Sequence, residues 1–301
     1  MKFLNKTKLQ RFTILRLLSF LIATSFCAYA QDSESSDIDS LLDEFFFEEQ
    51  QFLDEILEGD LSYQFLYSNV SYNTNTYFSG RSSGVNQFNI IPQISYYHSS
   101  GFSASISGVY YQNFDPTWDF TSISLGYFNT LDKQKNLFYN IGYTRFLYTD
   151  GSNTFNNSID ISLGVRSNKR NLGSTLSGSY LFGSDSSFQL ISNSYFNLDI
   201  FRNPKFAIRF RPNLSFIVAK QVVTILRPKR IFPGTGIEQI SENIFDLLNT
   251  QISLPITLTT KSWDFEISFA QNLPNALPNE SELTNTNFFS FSVGYMFDLN
   301  K

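Results

Sequence analysis

The chain has 301 residues, 22 Lys and Arg against 27 Asp and Glu, one His, one Cys and a formal net charge of −5. A single cysteine excludes an internal disulfide, and one histidine beside it leaves nothing to build a zinc or iron centre on side-chain nitrogen and sulfur. Only 16% of residues are charged while 17% are aromatic, with 33 Phe and 16 Tyr, where soluble chains average about 25% charged; mean hydropathy is nevertheless only −0.15.

Residues 1–30 read as a secretory signal peptide. Lys2, Lys6, Lys8, Arg11 and Arg16 precede an apolar run from Leu17 to Ala28, and Ala28-Tyr29-Ala30 is a small-x-small cleavage site. The run is shorter than the ~20 residues a membrane-spanning helix needs. Cys27 follows Phe26, where a lipoprotein signal carries a small residue, so acylation there is the lesser reading. Cleavage after Ala30 leaves a mature chain without cysteine.

Residues 31–60 hold twelve Asp and Glu and no Lys or Arg. Apolar residues recur there at helical spacing: Ile38, Leu41, Leu42, Phe45, Phe46, Phe52, Leu53, Ile56 and Leu57. Asp39 or Ser40 suits the start and Gly59 the stop. The pattern predicts a short amphipathic helix in an acidic periplasmic segment, the alternative being an acidic linker. Five of the 22 basic residues belong to 1–30, so the mature chain carries 17 against 27, a net −10. Residues 61–301 carry 17 basic and 15 acidic residues, so the acidity sits in the N-terminal segment.

From residue 61 the period becomes two. In 159–166 Ile159, Ile161, Leu163 and Val165 alternate with Asp160, Ser162, Gly164 and Arg166. In 206–218 Phe206, Ile208, Phe210, Leu214, Phe216 and Val218 alternate with Arg209, Arg211, Asn213 and Ser215. Trp263, Phe265, Ile267 and Phe269 alternate with Asp264, Glu266 and Ser268. The last stretch puts Phe289, Phe291, Val293, Tyr295, Phe297 and Leu299 on one face. Successive strand side chains point to opposite faces, so each strand has a greasy face and a polar one. Twelve strands are predicted: 61–72, 86–98, 101–113, 118–128, 137–148, 156–167, 172–183, 187–200, 206–218, 245–259, 263–271 and 287–299. Ten or fourteen are the neighbouring even counts. Such lengths exceed the ~5–6 residues usual in globular proteins and match the ~9–11 of membrane barrels. The expected fold is all-β, a transmembrane antiparallel up-and-down barrel over 61–301. A soluble secreted sandwich with one solvated face is the alternative. Short turns follow the even strands and long connections follow strands one, nine and eleven, which puts both termini on the short-turn, periplasmic side.

Over 61–301 and the signal peptide the chain resembles the Gram-negative outer-membrane β-barrel proteins. That resemblance implies residence in outer-membrane lipid. It also implies a final strand read by the barrel assembly machinery through Tyr295, Phe297 and Leu299, although Asn300 and Lys301 follow here. It names no substrate.

Four features are candidates for function. His98-Ser99-Ser100 has the His-x-Ser spacing of outer-membrane lipid hydrolases, with histidine as base and serine as nucleophile; Ser99-Ser100-Gly101 is equally a hairpin turn. Asp160, Arg166, Asp199, Arg209, Arg211, Asp264 and Glu266 all fall on the inner face. They suit a selective constriction or an ion-pair network filling a narrow lumen. Lys220, Arg227, Lys229 and Arg230 lie in a long connection suited to anionic lipid. The apolar face between residues 38 and 58 suits a periplasmic protein partner, or a plug folded back on Arg209 and Arg211. No nucleotide loop or nucleic-acid-binding stripe is present, and no cofactor is implied. The sequence reads as a non-enzymatic barrel, a narrow pore or a structural and interaction component, with a lipid hydrolase as the alternative.

Overall fold

The computed structural model describes residues 64–82, 86–231, 234–277 and 283–299. Residues 1–30, predicted as a signal peptide, and the acidic segment, with the predicted helix face from Leu41 to Ile56, lie outside the described residues.

Twelve strands form the wall. They are β1 (Gln64–Asn73), β2 (Asn89–His98), β3 (Phe102–Tyr111), β4 (Trp118–Thr130), β5 (Leu137–Tyr148), β6 (Asn157–Arg166) and β7 (Leu172–Phe182). β8 runs in two segments, Ser186–Phe196 and Leu198–Arg202, and β9 in two more, Phe206–Phe210 and Asn213–Ile231. β10 (Gly234–Thr260), β11 (Trp263–Pro274) and β12 (Thr286–Asp298) complete the wall. The break in β9 falls at Arg211-Pro212, where proline has no N–H to give the ladder. Each strand pairs antiparallel with the next, and β12 returns to β1 from Phe65↔Asp298 to Asn73↔Ser290, so the sheet closes. No helix occurs among the described residues.

The barrel is inside-out relative to a soluble core. On β6, Ile159, Ile161, Leu163 and Val165 are about half exposed, while Ser158, Ser162 and Arg166 are buried. The same inversion puts Phe265 and Ile267 of β11, and Phe289, Phe291 and Val293 of β12, on the outside. Large aromatics ring both ends of this apolar band. Trp263 meets Tyr295 edge-on at 4.7 Å, and Tyr295 meets Phe297 at 4.5 Å, on the side of the termini. Exposed Trp118, Tyr143, Tyr180 and Phe188 stand at the far side. Strands of ten residues, as in β1 and β6, rise ~3.3 Å per residue and cover ~25 Å when tilted at ~40°. A soluble sandwich would bury these residues against a second sheet, and the wall here closes on itself.

One predicted loop is corrected. Residues 219–244 were expected as a long connection, but β9 and β10 stay paired as far as Ile231↔Gly234. β8 accompanies β9 only to Ala219, and β11 accompanies β10 only from Asn249. The hairpin beyond is therefore a two-stranded arm standing above the rim. Its β-branched run Val222-Val223-Thr224-Ile225 favours strand geometry over loop.

The inverted wall makes a quantitative expectation. Ile161→Arg, on the outer face of β6, destabilises the folded barrel in lipid bilayers by about 2–4 kcal/mol in denaturant titration. A change within about 0.5 kcal/mol, as expected at an ordinary water-exposed surface position, would show that this face does not meet hydrocarbon.

Candidate functional site

The interior has two unlike zones. Its middle is lined by hydroxyls and amides, and toward the termini the inward aromatics Phe65, Tyr97, Phe128, Phe138 and Tyr195 join them. Ser162 of β6 and Ser177 of β7 share a hydrogen bond at 2.8 Å, and Ser124 and Thr144 share one at 2.9 Å. Small residues are inward because neighbouring aromatics lie across them. The ring of Phe138 covers Gly164, its register partner on β6, so closely that an added Cβ would stand 2.1 Å from the ring.

The far half is apolar inside. Ile91, Val109, Tyr111, Phe120, Phe146 and Leu181 point inward from β2 to β7 and form a buried cluster, with Phe114, Tyr148 and Phe155 packed against it. Phe120 and Phe146 meet edge-to-face at 5.7 Å. Alternation predicted a polar inner face along the whole barrel, and here that expectation fails.

The connection between β1 and β2 completes this seal. It contains a small hairpin, Tyr77–Phe78 against Arg81–Ser82. Phe78 is 5% exposed and lies parallel to Phe114 at 6.1 Å. The turn uses positive φ at Ser79 (45°) and Gly80 (77°). The Gly80 carbonyl accepts a hydrogen bond from Thr286 Oγ1 of β12 at 2.9 Å. Arg81 donates to the carbonyl of Asn275 at 2.8 Å and to that of Leu248 on β10 at 3.4 Å. At the base, Asn73 donates to Asn89, and Asn89 to Thr76. The hairpin thus reaches from the β3–β4 connection to β10, across the mouth. Any side chain at position 80 would meet Asn249, since a Cβ there stands 2.5 Å from its amide.

The predicted lumen charges are distributed over several places on the inner face. Arg209 pairs with Asp199 at 3.2 Å, and Arg202 joins Asp199 at 3.4 Å. Arg209 also acts on Asp264, whose carboxylate accepts from Thr259 and Tyr67. Glu266 sits in register with Thr257, the strand partner of Arg209. Arg211, 4% exposed, lies over the ring of Tyr195 at 3.7 Å. Arg166 lies over Phe138 at 5.7 Å and donates to the Lys135 carbonyl. Asp160 is apart from these and is held by Ser158 at 2.7 Å and by Ser179. Sequence reasoning found the faces but missed the two arginine–aromatic stacks, because they depend on which aromatic stands beside which glycine.

His98 closes β2 on its outer face, at the terminus-side rim. Its Nδ1 accepts the Ser100 backbone N–H at 3.0 Å, and Ser100 Oγ lies 2.8 Å from the same nitrogen. The Gly101 N–H returns to the His98 carbonyl at 2.9 Å, with φ 92° at Gly101. The imidazole thus caps a tight turn, and the nitrogen a base would use already accepts from backbone. Among the described residues no group of three or more His, Cys, Asp and Glu is placed to hold a metal ion. At the terminus-side rim, Tyr295, Phe297 and Leu299 stand on the outer face of the last strand. Of the basic connection, Lys220 donates to the Ser186 carbonyl at the far rim; the side chains of Arg227, Lys229 and Arg230 lie outside the described residues.

A closed wall with an apolar belt, aromatic girdles and a polar interior defines a transmembrane β-barrel. No protein-family model matches the sequence, and no curated protein matches it. Among solved structures it is similar to the KdgM porin (10% identity, TM-score 0.45, covering 77% of this chain and 99% of that one). It is also similar to the NanC porin (12%, 0.44, 78% and 100%) and to LpxR from Salmonella typhimurium (7%, 0.43, 77% and 100%). Likeness of this degree is to a barrel shape and no more.

The seal predicts a protease result. In the folded protein trypsin leaves the Arg81–Ser82 bond intact. Gly80→Leu, which cannot share space with Asn249, expels the hairpin and makes that bond cleavable with the rest of the barrel uncut. Equal cleavage of both proteins would place the hairpin outside the mouth.

Proposed function

We propose that this chain is a non-enzymatic outer-membrane channel of narrow bore, with its termini on the periplasmic side and its outer mouth held shut by the 77–82 hairpin. The observation that carries this reading is the hydroxyl- and amide-lined interior of a closed, inside-out barrel. Such an interior serves hydrophilic solutes, and a purely structural barrel of this size could be filled throughout by the kind of apolar packing seen at the far end. The seal itself belongs to a connection and not to the wall. The short terminus-side turns and the signal peptide support export to an outer membrane.

Lipid hydrolysis through His98 and Ser100 is disfavoured by place and by geometry. The pair lies outside the lumen, in a two-strand turn at the terminus-side rim, and among the described residues no third group orients the imidazole.

Planar-bilayer recording tests the proposal. The intact protein is expected to give rare, small openings, and Gly80→Leu to give stable conductance several-fold larger. Arg209→Ser with Arg211→Ser then shifts the reversal potential in a salt gradient toward cations, because two fixed positive charges leave the lumen. Silence from every variant would leave a closed barrel and end the channel reading. Ser100→Ala leaves phospholipid in mixed micelles as untouched as the intact protein does; hydrolysis abolished by that change would make the chain an enzyme.

A further inference from the structure

The two rims differ in charge. Four of the five terminus-side turns carry Lys or Arg: Lys133 and Lys135 between β4 and β5, Lys169 and Arg170 between β6 and β7, Lys205 between β8 and β9, and Lys261 between β10 and β11. Lys133, Lys169, Lys205 and Lys261 are exposed. Acidic residues on the same turns reduce to Asp132, whose carboxylate accepts the Leu137 N–H. Two basic residues even occupy backbone positions that glycine or asparagine fills more easily, with φ 57° at Lys135 and 55° at Arg170. The far-side connections, with the arm over 219–248, carry five basic residues, Lys220, Arg227, Lys229 and Arg230 among them, but eight acidic ones, Asp115, Asp150 and Asp185 included. The terminus-side turns are therefore the net basic ones.

That rim is where the acidic segment begins. Residues 31–60, with twelve carboxylates and no cation, join β1 through residues 61–63 at Gln64. We infer that the 31–60 segment docks on the basic terminus-side rim of its own barrel. Three observations select this occupant. The charges are complementary: the segment supplies −12 and the turns supply the cations. The tether keeps the segment within reach, at an effective concentration on the order of millimolar, which no free partner matches easily. The length fits: the helix that the sequence predicts over 38–57 would be about 30 Å long, enough to cross a mouth ringed by twelve strands about 4.8 Å apart. Each exposed ion pair is weak, and the docking is a sum over many of them. This inference holds whether or not the barrel conducts.

Cysteine cross-linking tests it on the full chain. In a Cys27→Ala background, Gln50→Cys is combined in turn with Ser99→Cys, Asn168→Cys and Ser262→Cys, one for each of three rim turns, and a short bis-maleimide is applied in neutral detergent. An intramolecular product is expected with at least one rim position. It falls about five-fold in 1 M NaCl, where the Debye length shrinks from ~8 Å to ~3 Å, and falls likewise in Lys169→Glu with Arg170→Glu. Absence of product at all three positions overturns the inference, as does a product indifferent to salt and to charge reversal. A purely intermolecular product assigns the segment to another molecule and also overturns it. The same pairs are then examined in vesicles containing anionic phospholipid. Persistence there supports docking, whereas loss there hands the rim to lipid headgroups and overturns it.

Discussion

Hydrogen bonding of the backbone in hydrocarbon is the constraint on which this structure depends. Lipid offers no partner to a free N–H or C=O, and an open sheet always has two unpaired edges. Pairing β12 with β1 over Phe65↔Asp298 to Asn73↔Ser290 removes both. Once the sheet is a cylinder, every strand has one face in lipid and one in the lumen, and period-two alternation becomes compulsory. The composition follows: aromatic and branched residues outside, Ser, Asn, Thr and Gly inside, and few charges.

A cylinder of twelve strands also poses a packing problem. It is wider than a barrel whose side chains fill it and narrower than one that must enclose water. The chain divides the solutions by height. Toward the termini, aromatics lie flat over inward glycines and carry arginines on their other face, as Tyr195 does between Gly173 and Arg211. The guanidinium keeps its charge at the lumen while its plane rests on a ring, an arrangement a lysine would not reproduce. Toward the far rim, Tyr111, Phe120 and Leu181 pack into an apolar cluster on the β2–β7 side of the bore.

The strands and their inward and outward faces were legible in the sequence because alternation and turn length are local signals. Asp160 and Arg209 could be placed inside from Ile159, Ile161, Ile208 and Phe210 alone. Three things were not legible. The β9–β10 arm has strand propensity without a second partner strand, and loop asymmetry argued for a connection. The apolar stopper hides because Val109 and Phe120 keep the right parity and only the wrong polarity; period two says which face, never what lies at a given height. The 77–82 hairpin is non-local: Tyr77-Phe78 and Ser79-Gly80 mark a turn, but Thr286 and Leu248 lie some 200 and 170 residues away.

The hairpin can act as a stopper because the mouth has two different halves. From β2 to β7 the wall presents the apolar cluster, and the hairpin meets it with Phe78. From β10 to β12 the wall presents Asn249, Asn272 and Thr286, and the hairpin meets it with its own backbone and Arg81. A loop inside a barrel needs both, since its side chains seek burial while its peptide groups must still be paired. Withdrawing Phe78 to water costs about 1.5–3 kcal/mol. The same withdrawal breaks the hydrogen bonds from Thr286 to the Gly80 carbonyl and from Arg81 to the Asn275 and Leu248 carbonyls, each worth about 0.5–1.5 kcal/mol net. Both losses act in the same direction: the apolar half and the polar half of the mouth each hold the hairpin in place.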